Sequence, residues 1–329
     1  MARLTLKLLK IKPPYTIAID RTEWQLGKSW VNVLMLSVSY RQIAIPLFWI
    51  VLEEKGCCDD AEKQFIVEQF LEEFTADSIG FVSADREFAS KEWLKFLVDR
   101  QIGFRLRIKA NVRITDKRGK PLSASKMCRT LQVGGRMEFR RCRKLWNQSV
   151  FVAVCRKADG DNVIVISSER SGQILIEYGQ RWHIETLFGI LKTRGFRLEE
   201  THLTNGERVS RLLSLLTLAG CWALLAGEIA SRETPIKIRN HARSGKKHFP
   251  TWIRHTTKLF LPDSIKFRTK ATISTAYVTF VLYLESNYEN KNIFISFPVH
   301  SDRFEFERRR YIFARRICSK TSSRISPKQ

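Results

Sequence analysis

The sequence predicts an α/β protein built on a mixed sheet flanked by helices, with a β-rich insertion ahead of a late helix. Three observations predict it. Residues 15–52 hold three strand-like apolar runs in succession. Strand and helix patterns then alternate up to about residue 110. Residues 110–170 break into short alternating runs separated by Gly, Asp and Asn turns, after which helical spacing returns.

The first block reads "YTIAID", "WVNVLMLSVSY" and "AIPLFWIVLE". β-branched and aromatic residues between polar breaks point to an antiparallel meander. In "DDAEKQFIVEQFLEEF", Phe65, Ile66, Phe70 and Phe74 recur at three and four, with acids in the first turn, so a helix is expected. "SIGFVSAD" is a buried strand ending at Asp85. "SKEWLKFLVDRQ" opens on Ser90 as an N-cap and continues as a helix, and "GFRLRIKA" is the next strand. In 110–170, "GRMEFRRCRKLW", "SVFVAVCRK" and "DNVIVISS" are strand-like. Residues 173–194 and 207–230 are expected helices, and 265–329 mix strand-like runs with a basic tail. The expected division is 1–109 (first part of the core), 110–170 (basic insertion), 171–262 (second part of the core) and 263–329 (an atypical basic segment).

Hydrophobic residues make up 44% of the 329, enough for a substantial core, which excludes wholesale disorder. The net charge of +24 calls for a polyanionic partner, a nucleic acid or an anionic membrane surface. The excess is regional. Residues 1–100 carry 13 Lys/Arg against 15 Asp/Glu, whereas 101–150 alone carry 14 against 2. The apolar run Leu212–Gly227 is interrupted by Ser214, Thr217 and Gly220. It falls short of the roughly 20 residues that a span needs, so a buried helix is expected and no membrane partner. Seven cysteines without a CxxC pair point to reduced cytosolic thiols, not to disulfides or zinc.

Three acids stand out. Asp20 and Asp85 are read as strand-end carboxylates, where such sheets open onto a crevice. Glu185 lies in the helical "YGQRWHIETLFGILK". On one continuous helix Tyr178, Arg181, Glu185 and Lys192 fall within about 60° of arc, beside an apolar stripe of Ile184, Leu187, Phe188 and Leu191. Carboxylates for hard cations, flanked by cations for phosphate, are what phosphoryl transfer on DNA requires. Taken singly, each signal has an ordinary reading: Arg181 and Glu185 at i,i+4 equally make a surface ion pair worth about 0.3–0.5 kcal/mol. Glu23 and Glu87 are assigned supporting roles, His183 a packing or surface role, and Trp24, Trp30 and Trp49 the core.

Together, "IAIDRTEW", "ADREF" and the series Tyr178, Arg181, Glu185, Lys192 resemble the insertion sequence 4 family of bacterial DDE transposases, whose signature has Tyr, Arg, Glu and Lys at this spacing. The resemblance spans roughly residues 12–260, including "PIKIRNHAR". It implies an RNase H-like fold with a β-strand insertion before the catalytic Glu. It further implies that Asp20, Asp85 and Glu185 form a catalytic triad binding two divalent ions, Mg2+ or Mn2+. Tyr178, Arg181 and Lys192 would contact phosphates near a transposon end. Trp182 would help to hold a flipped base, with a half-buried helix anchor as its alternative role. The implied partners are double-stranded DNA, at transposon ends and target, and a second copy of the chain on paired ends. The implied setting is the bacterial cytoplasm, at the nucleoid. The family's helical end-recognition domain precedes its first Asp, whereas 19 residues precede Asp20, so that domain is expected to be missing. Two other readings remain open at this point: a non-catalytic DNA-binding remnant that inhibits transposition, and a basic structural protein of a ribonucleoprotein.

The cations of residues 104–144 are expected to dominate non-specific DNA affinity. Neutralising several of them should lower the slope of log affinity against log salt by about 0.9 for each DNA phosphate that they cease to neutralise. An unchanged slope in a binding titration would remove this segment from the interface.

Overall fold

The computed structural model describes residues 1–233, apart from 53–55, 57, 158 and 160. The expected strands and basic tail of 265–329, and the "PIKIRNHAR" stretch, lie outside the described residues. A short N-terminal helix, α1 (Ala2–Leu8), precedes the meander and has no counterpart among the expected elements.

β1 (Tyr15–Leu26), β2 (Ser29–Tyr40) and β3 (Ile43–Leu52) pair antiparallel in sequence order. Both hairpin loops are two residues long and need left-handed backbone to match the strand twist. Gly27 has φ +60° in the first, and Arg41 and Gln42 have φ +46° and +69° in the second. α2 (Asp60–Glu73) starts at a full capping box. Asp59 Oδ1 accepts from the Glu62 N–H at 2.8 Å, and Glu62 Oε2 accepts from the Asp59 N–H at 3.0 Å. β4 (Ile79–Ala84) runs parallel to β1. α3 (Lys91–Asp99) has the expected Ser90 cap, whose hydroxyl accepts from the Trp93 N–H and donates to Asp60 at the start of α2. β5 (Phe104–Arg107) then runs parallel to β4.

The insertion comprises β6 (Arg113–Thr115) and β7 (Pro121–Ser123), a separate hairpin, then β8 (Arg136–Glu138), β9 (Arg143–Leu145), β10 (Gln148–Arg156) and β11 (Asn162–Ser167). It continues the core sheet: β11 pairs antiparallel with β5, placing Ser167 against Arg105 and Val165 against Arg107. Among the described residues the sheet has nine strands in the order β3-β2-β1-β4-β5-β11-β10-β8, with β9 on β10. Three antiparallel strands, two parallel ones and helices on the sheet make this an RNase H-like arrangement.

Helices cover both faces. Successive strand residues point to opposite sides of a sheet. On β3, Phe48 meets Phe70 of α2, with ring centroids 6.0 Å apart. The next residue, Trp49, donates its indole N–H to Ser210 of α6 (Gly206–Glu233) at 2.9 Å. α2 and α6 therefore lie on opposite faces, and β2 between them is buried over eight consecutive residues. Gly206–Leu225 of α6 is long and apolar enough to cross a membrane. Its Val209, Leu213, Leu216, Cys221 and Leu224 nevertheless belong to the same core as the sheet. Of the tryptophans assigned to the core, Trp24 is buried, but Trp30 and Trp49 are half-buried.

The single helix expected over 173–194 is interrupted. α4 (Ile174–Gly179) ends in a tighter turn, with Arg181 N–H bonded to the Tyr178 carbonyl and Ile184 N–H to the Arg181 carbonyl. α5 (Trp182–Gly189) follows, and Ile190–Arg194 widen into a π turn. Gly179 at the junction lowers the local cost of leaving the α-helix.

Close approach of β4 and β5 depends on Gly103. Its carbonyl accepts from the Val82 N–H at 2.7 Å, and a Cβ there would stand 2.4 Å from the Gly80 carbonyl oxygen. Gly103→Ala is therefore expected to cost about 2–4 kcal/mol in urea unfolding. A change below about 0.5 kcal/mol would contradict this account of the β4–β5 contact.

Candidate active site

The parallel pairing of β1 with β4 runs through Ile19 opposite Ala84, and that of β4 with β5 through Ala84 opposite Leu106. One residue further, Asp20, Asp85 and Arg107 come level across three neighbouring strands. Asp20 was expected at a strand end and is not there: it is the sixth of twelve residues in β1, opposite Met35 of β2. β1 runs on because its hairpin with β2 continues after β4 has left the sheet. β4 ends at Ala84, and Asp20 lies level with the residue that follows it, from within a strand.

The α4–α5 segment supplies the other side. Arg181 is 4% exposed and engages all three of its guanidinium nitrogens. Nη1 donates to Asp20 Oδ2 at 2.9 Å, Nη2 to Glu185 Oε1 at 2.6 Å, and Nε to the Tyr178 hydroxyl at 3.2 Å. The Tyr178 hydroxyl in turn donates to Asp85 Oδ1 at 3.2 Å, and Arg107 Nη1 lies 3.6 Å from the same oxygen. Thus the structure gathers Asp20, Asp85, Glu185, Tyr178 and Arg181 into one network, although they come from β1, the end of β4, and α4–α5.

Lys192 does not join them. The π turn carries it off the common edge expected from an unbroken helix. Its ammonium donates to the Glu23 carbonyl at 2.7 Å, pairs with Glu199 at 3.1 Å and lies 5.9 Å from the Trp24 ring centre. Trp182 is 60% exposed, so it is no helix anchor. Its indole stands in solvent next in sequence to Arg181. The Glu23 and Glu87 carboxylates both pair with Arg21, at 3.1 and 3.6 Å. His183 is half-buried, and burial lowers its pKa.

Two residues carried no signal of their own in the sequence, Arg105 and Arg107. They alternate in "FRLR", so a strand turns both to one face. Arg105 is 1% exposed, pairs with Glu177 at 2.5 Å and Glu169 at 3.2 Å, and stacks on Phe81 at 4.8 Å. Arg107 pairs with Asp85 and, at 3.0 Å, with Asp161 of the β10–β11 turn. Of the fourteen Lys/Arg in 101–150, Arg105 and Arg143 are buried and Arg107 is half-buried, which leaves eleven exposed. Arg105 and Arg143 therefore drop out of the expected DNA-facing set. None of the eleven forms an ion pair among the described residues.

The electrostatics of the network follow from its burial. Burial is the largest influence on Asp20 and lifts its pKa to about 6. Arg181 and the Arg21 N–H oppose the rise, while Asp85 and Glu185 add to it. Burial also pushes Tyr178 up to about 12, which keeps its hydroxyl a donor at neutral pH. Burial works against the charge on Arg181, but Tyr178, Asp20 and Glu185 outweigh it and raise its pKa above the ordinary value.

Carboxylate oxygens suit a hard divalent cation. Asp20, Asp85 and Glu185 offer such oxygens. The donor set therefore fits such an ion in its chemistry. As arranged here, no group of three or more acids, histidines or cysteines among the described residues stands close enough to hold one. Arg181 lies between Asp20 and Glu185 instead.

Two carboxylates level with each other on the parallel β1–β4 pair are thus answered by a guanidinium and a phenol from the α4–α5 segment, on an RNase H-like sheet. Residues 12–222 match the transposase DDE domain, and the chain belongs to that family. No curated protein matches this chain. Among solved structures it is similar to one described as a piggyBac transposase synaptic complex with hairpin DNA, at 12% identity and a TM-score of 0.40. The match covers 79% of this chain and 57% of that one, so this chain spans less than two thirds of that protein's length.

The raised pKa of Asp20 has a measurable consequence. Between about pH 4 and 6 the folded protein holds this proton more tightly than the unfolded chain, whose Asp titrates near 3.8. Stability contributed by Asp20 is therefore greatest below the unfolded value, falls as pH rises through this window and levels off above about 6. The unfolding free energy of the parent minus that of Asp20→Asn should fall by on the order of 2–3 kcal/mol from pH 4 to 7. A difference that is flat or rises with pH would show that Asp20 is not held as described.

Proposed function

We propose that this protein is a transposase of the insertion sequence 4 type, which cuts DNA at transposon ends and joins the freed ends to target DNA. The observation that carries the reading is the convergence of Asp20, Asp85 and Glu185 on the Arg181–Tyr178 pair, from three separate parts of the chain. Membership of the DDE family supports it. So do the eleven exposed cations of residues 101–150, which answer to a polyanion.

In this reading Asp20, Asp85 and Glu185 hold two divalent ions, magnesium or manganese. Such ions supply charge neutralisation at a scissile phosphate and make water a stronger nucleophile near neutral pH. Arg181 and Tyr178 grip a phosphate beside the carboxylates, the former through a charge-assisted fork. Arg107 sets the Asp85 carboxylate from the β5 side. Trp182, exposed beside Arg181, offers a stacking face for an unpaired base, worth about 1–3 kcal/mol. Lys192 reaches DNA only if it leaves the Glu23 carbonyl and Glu199. Water is the first nucleophile, and the freed 3′-hydroxyl is the next. Both are in-line displacements at phosphorus, so one set of side chains serves each step. Duplex DNA is the substrate, two copies of the chain act on paired ends, and the setting is the bacterial nucleoid.

Nicking of supercoiled plasmid by the full chain with Mg2+ or Mn2+ tests this. The Asp85→Ala variant is expected to fall below about a thousandth of the parent rate, roughly 4 kcal/mol of barrier, while retaining DNA affinity. Full activity in that variant would end the role given to Asp85. A parent chain that binds DNA yet stays inert with both metals would favour a non-catalytic DNA-binding protein.

A further inference from the structure

Arg181 uses the very oxygens that a metal ion would need. Asp20 Oδ2 accepts from Arg181 Nη1 at 2.9 Å, and Asp20 Oδ1 already accepts from the Arg21 backbone N–H at 2.9 Å. Both oxygens of Asp20 are therefore engaged. Glu185 Oε1 accepts from Arg181 Nη2 at 2.6 Å, and the third nitrogen of Arg181 is taken by Tyr178. The side chain is 4% exposed and bridges two acids, Asp20 on its buried side and the more exposed Glu185 on the other. The guanidinium fork matches carboxylate and phosphate alike, and a phosphodiester presents its two oxygens to the same fork.

We propose that Arg181 is the resident cation of the triad in the absence of metal, and that DNA phosphate and divalent ion bind cooperatively because the one draws off the guanidinium whose place the other takes. The inference rests on the reading of Asp20, Asp85 and Glu185 as the ion-holding triad. It makes Arg181 the coupling element between two ligands. Alone, the metal competes with a tethered cation at near-contact distance; alone, the phosphate must pull Arg181 from two carboxylates left without a counter-ion. Together each relieves the other's cost, and by linkage the effect is equal in both directions. The consequence is a site that loads metal once DNA is in place.

Mn2+ binding to the full chain, followed by the electron paramagnetic resonance signal of the free ion, tests this with and without a duplex oligonucleotide. For the parent, duplex should tighten Mn2+ binding about 5–100-fold. Arg181→Met should bind Mn2+ tightly without duplex and show little further gain when duplex is added. Arg181→Lys keeps the charge but cannot bridge two carboxylates as a fork; it should also tighten binding without duplex, and it carries the test if the Met variant fails to fold. Asp85→Ala should abolish the tight binding in every case. If Arg181→Met and Arg181→Lys bind no tighter than the parent and keep its full response to duplex, while Asp85→Ala still abolishes binding, the coupling role is overturned and the triad survives. If Asp85→Ala leaves Mn2+ binding unchanged, the triad reading itself fails, and this inference with it.

Discussion

The register of three parallel strands is the constraint on which the rest depends. With Ile19 opposite Ala84 and Ala84 opposite Leu106, the next residues in line are Asp20, Asp85 and Arg107. A slip of one residue in β1 would turn Asp20 to the opposite face and put Ile19 or Arg21 level with Asp85. The register is fixed from both sides. Ile17, Ala18, Ile19, Val82, Ser83 and Ala84 are all fully buried, so a slip would set large side chains where small ones fit and the reverse, on both faces of the sheet. Two buried hydroxyls add direction: Ser83 donates to the Ile17 carbonyl at 3.0 Å, and Ser37 to the Ala18 carbonyl at 3.2 Å. Each reads the backbone of β1 next to the carboxylate row.

What the row holds is costly in its own terms. Arg105 and Arg181 are cations taken almost wholly out of water. Ion pairs so placed seldom stabilise a protein more than apolar side chains of similar size would, because desolvation offsets most of the attraction. Asp20 shows the same imbalance, since burial still holds its pKa near 6 against the pull of Arg181. A fold selected for stability alone would have filled this region with hydrocarbon. Retention of five charged groups in one network fits a site whose charges are used.

Much of this was legible in the sequence, for identifiable reasons. The Asp59–Glu62 and Ser90 caps are local and declare their helices directly. Asp85 follows a short, largely apolar strand, and that signal too is local. The unread parts are those that depend on distant neighbours. Asp20 looked like a strand end because "YTIAID" stops being apolar there; only its pairing with β2 extends the strand to Leu26. Arg107 looked like one cation among many until β5 was laid beside β4. Lys192 obeyed the helical spacing of an ideal helix, and the π turn at Ile190–Arg194 removed it from the edge that this spacing defined. Its hydrogen bond to the Glu23 carbonyl ties that turn to β1, three residues beyond Asp20.

The insertion is the other feature that periodicity reveals only in part. Its strands were visible as short alternating runs, but not their union with the core sheet. Because β11 lies against β5, the segment that carries the exposed cations and the strand that carries Arg107 belong to one hydrogen-bonded sheet. Two ion pairs reinforce the seam: Arg105 with Glu169, just beyond β11, and Arg107 with Asp161, just before it. The near-neutral first hundred residues supply most of the carboxylate row, and the basic segment beside them supplies the attraction for a polyanion. Fields of one sign beside a cluster of the other sort a charged partner by orientation as well as by affinity. Three acids together repel a polyanion unless cations stand among them, and Arg107 and Arg181 are cations of the protein placed there. Arg107 and Arg181 thus stand where the basic segment meets the acids, the one on the strand that pairs with the insertion and the other on Asp20.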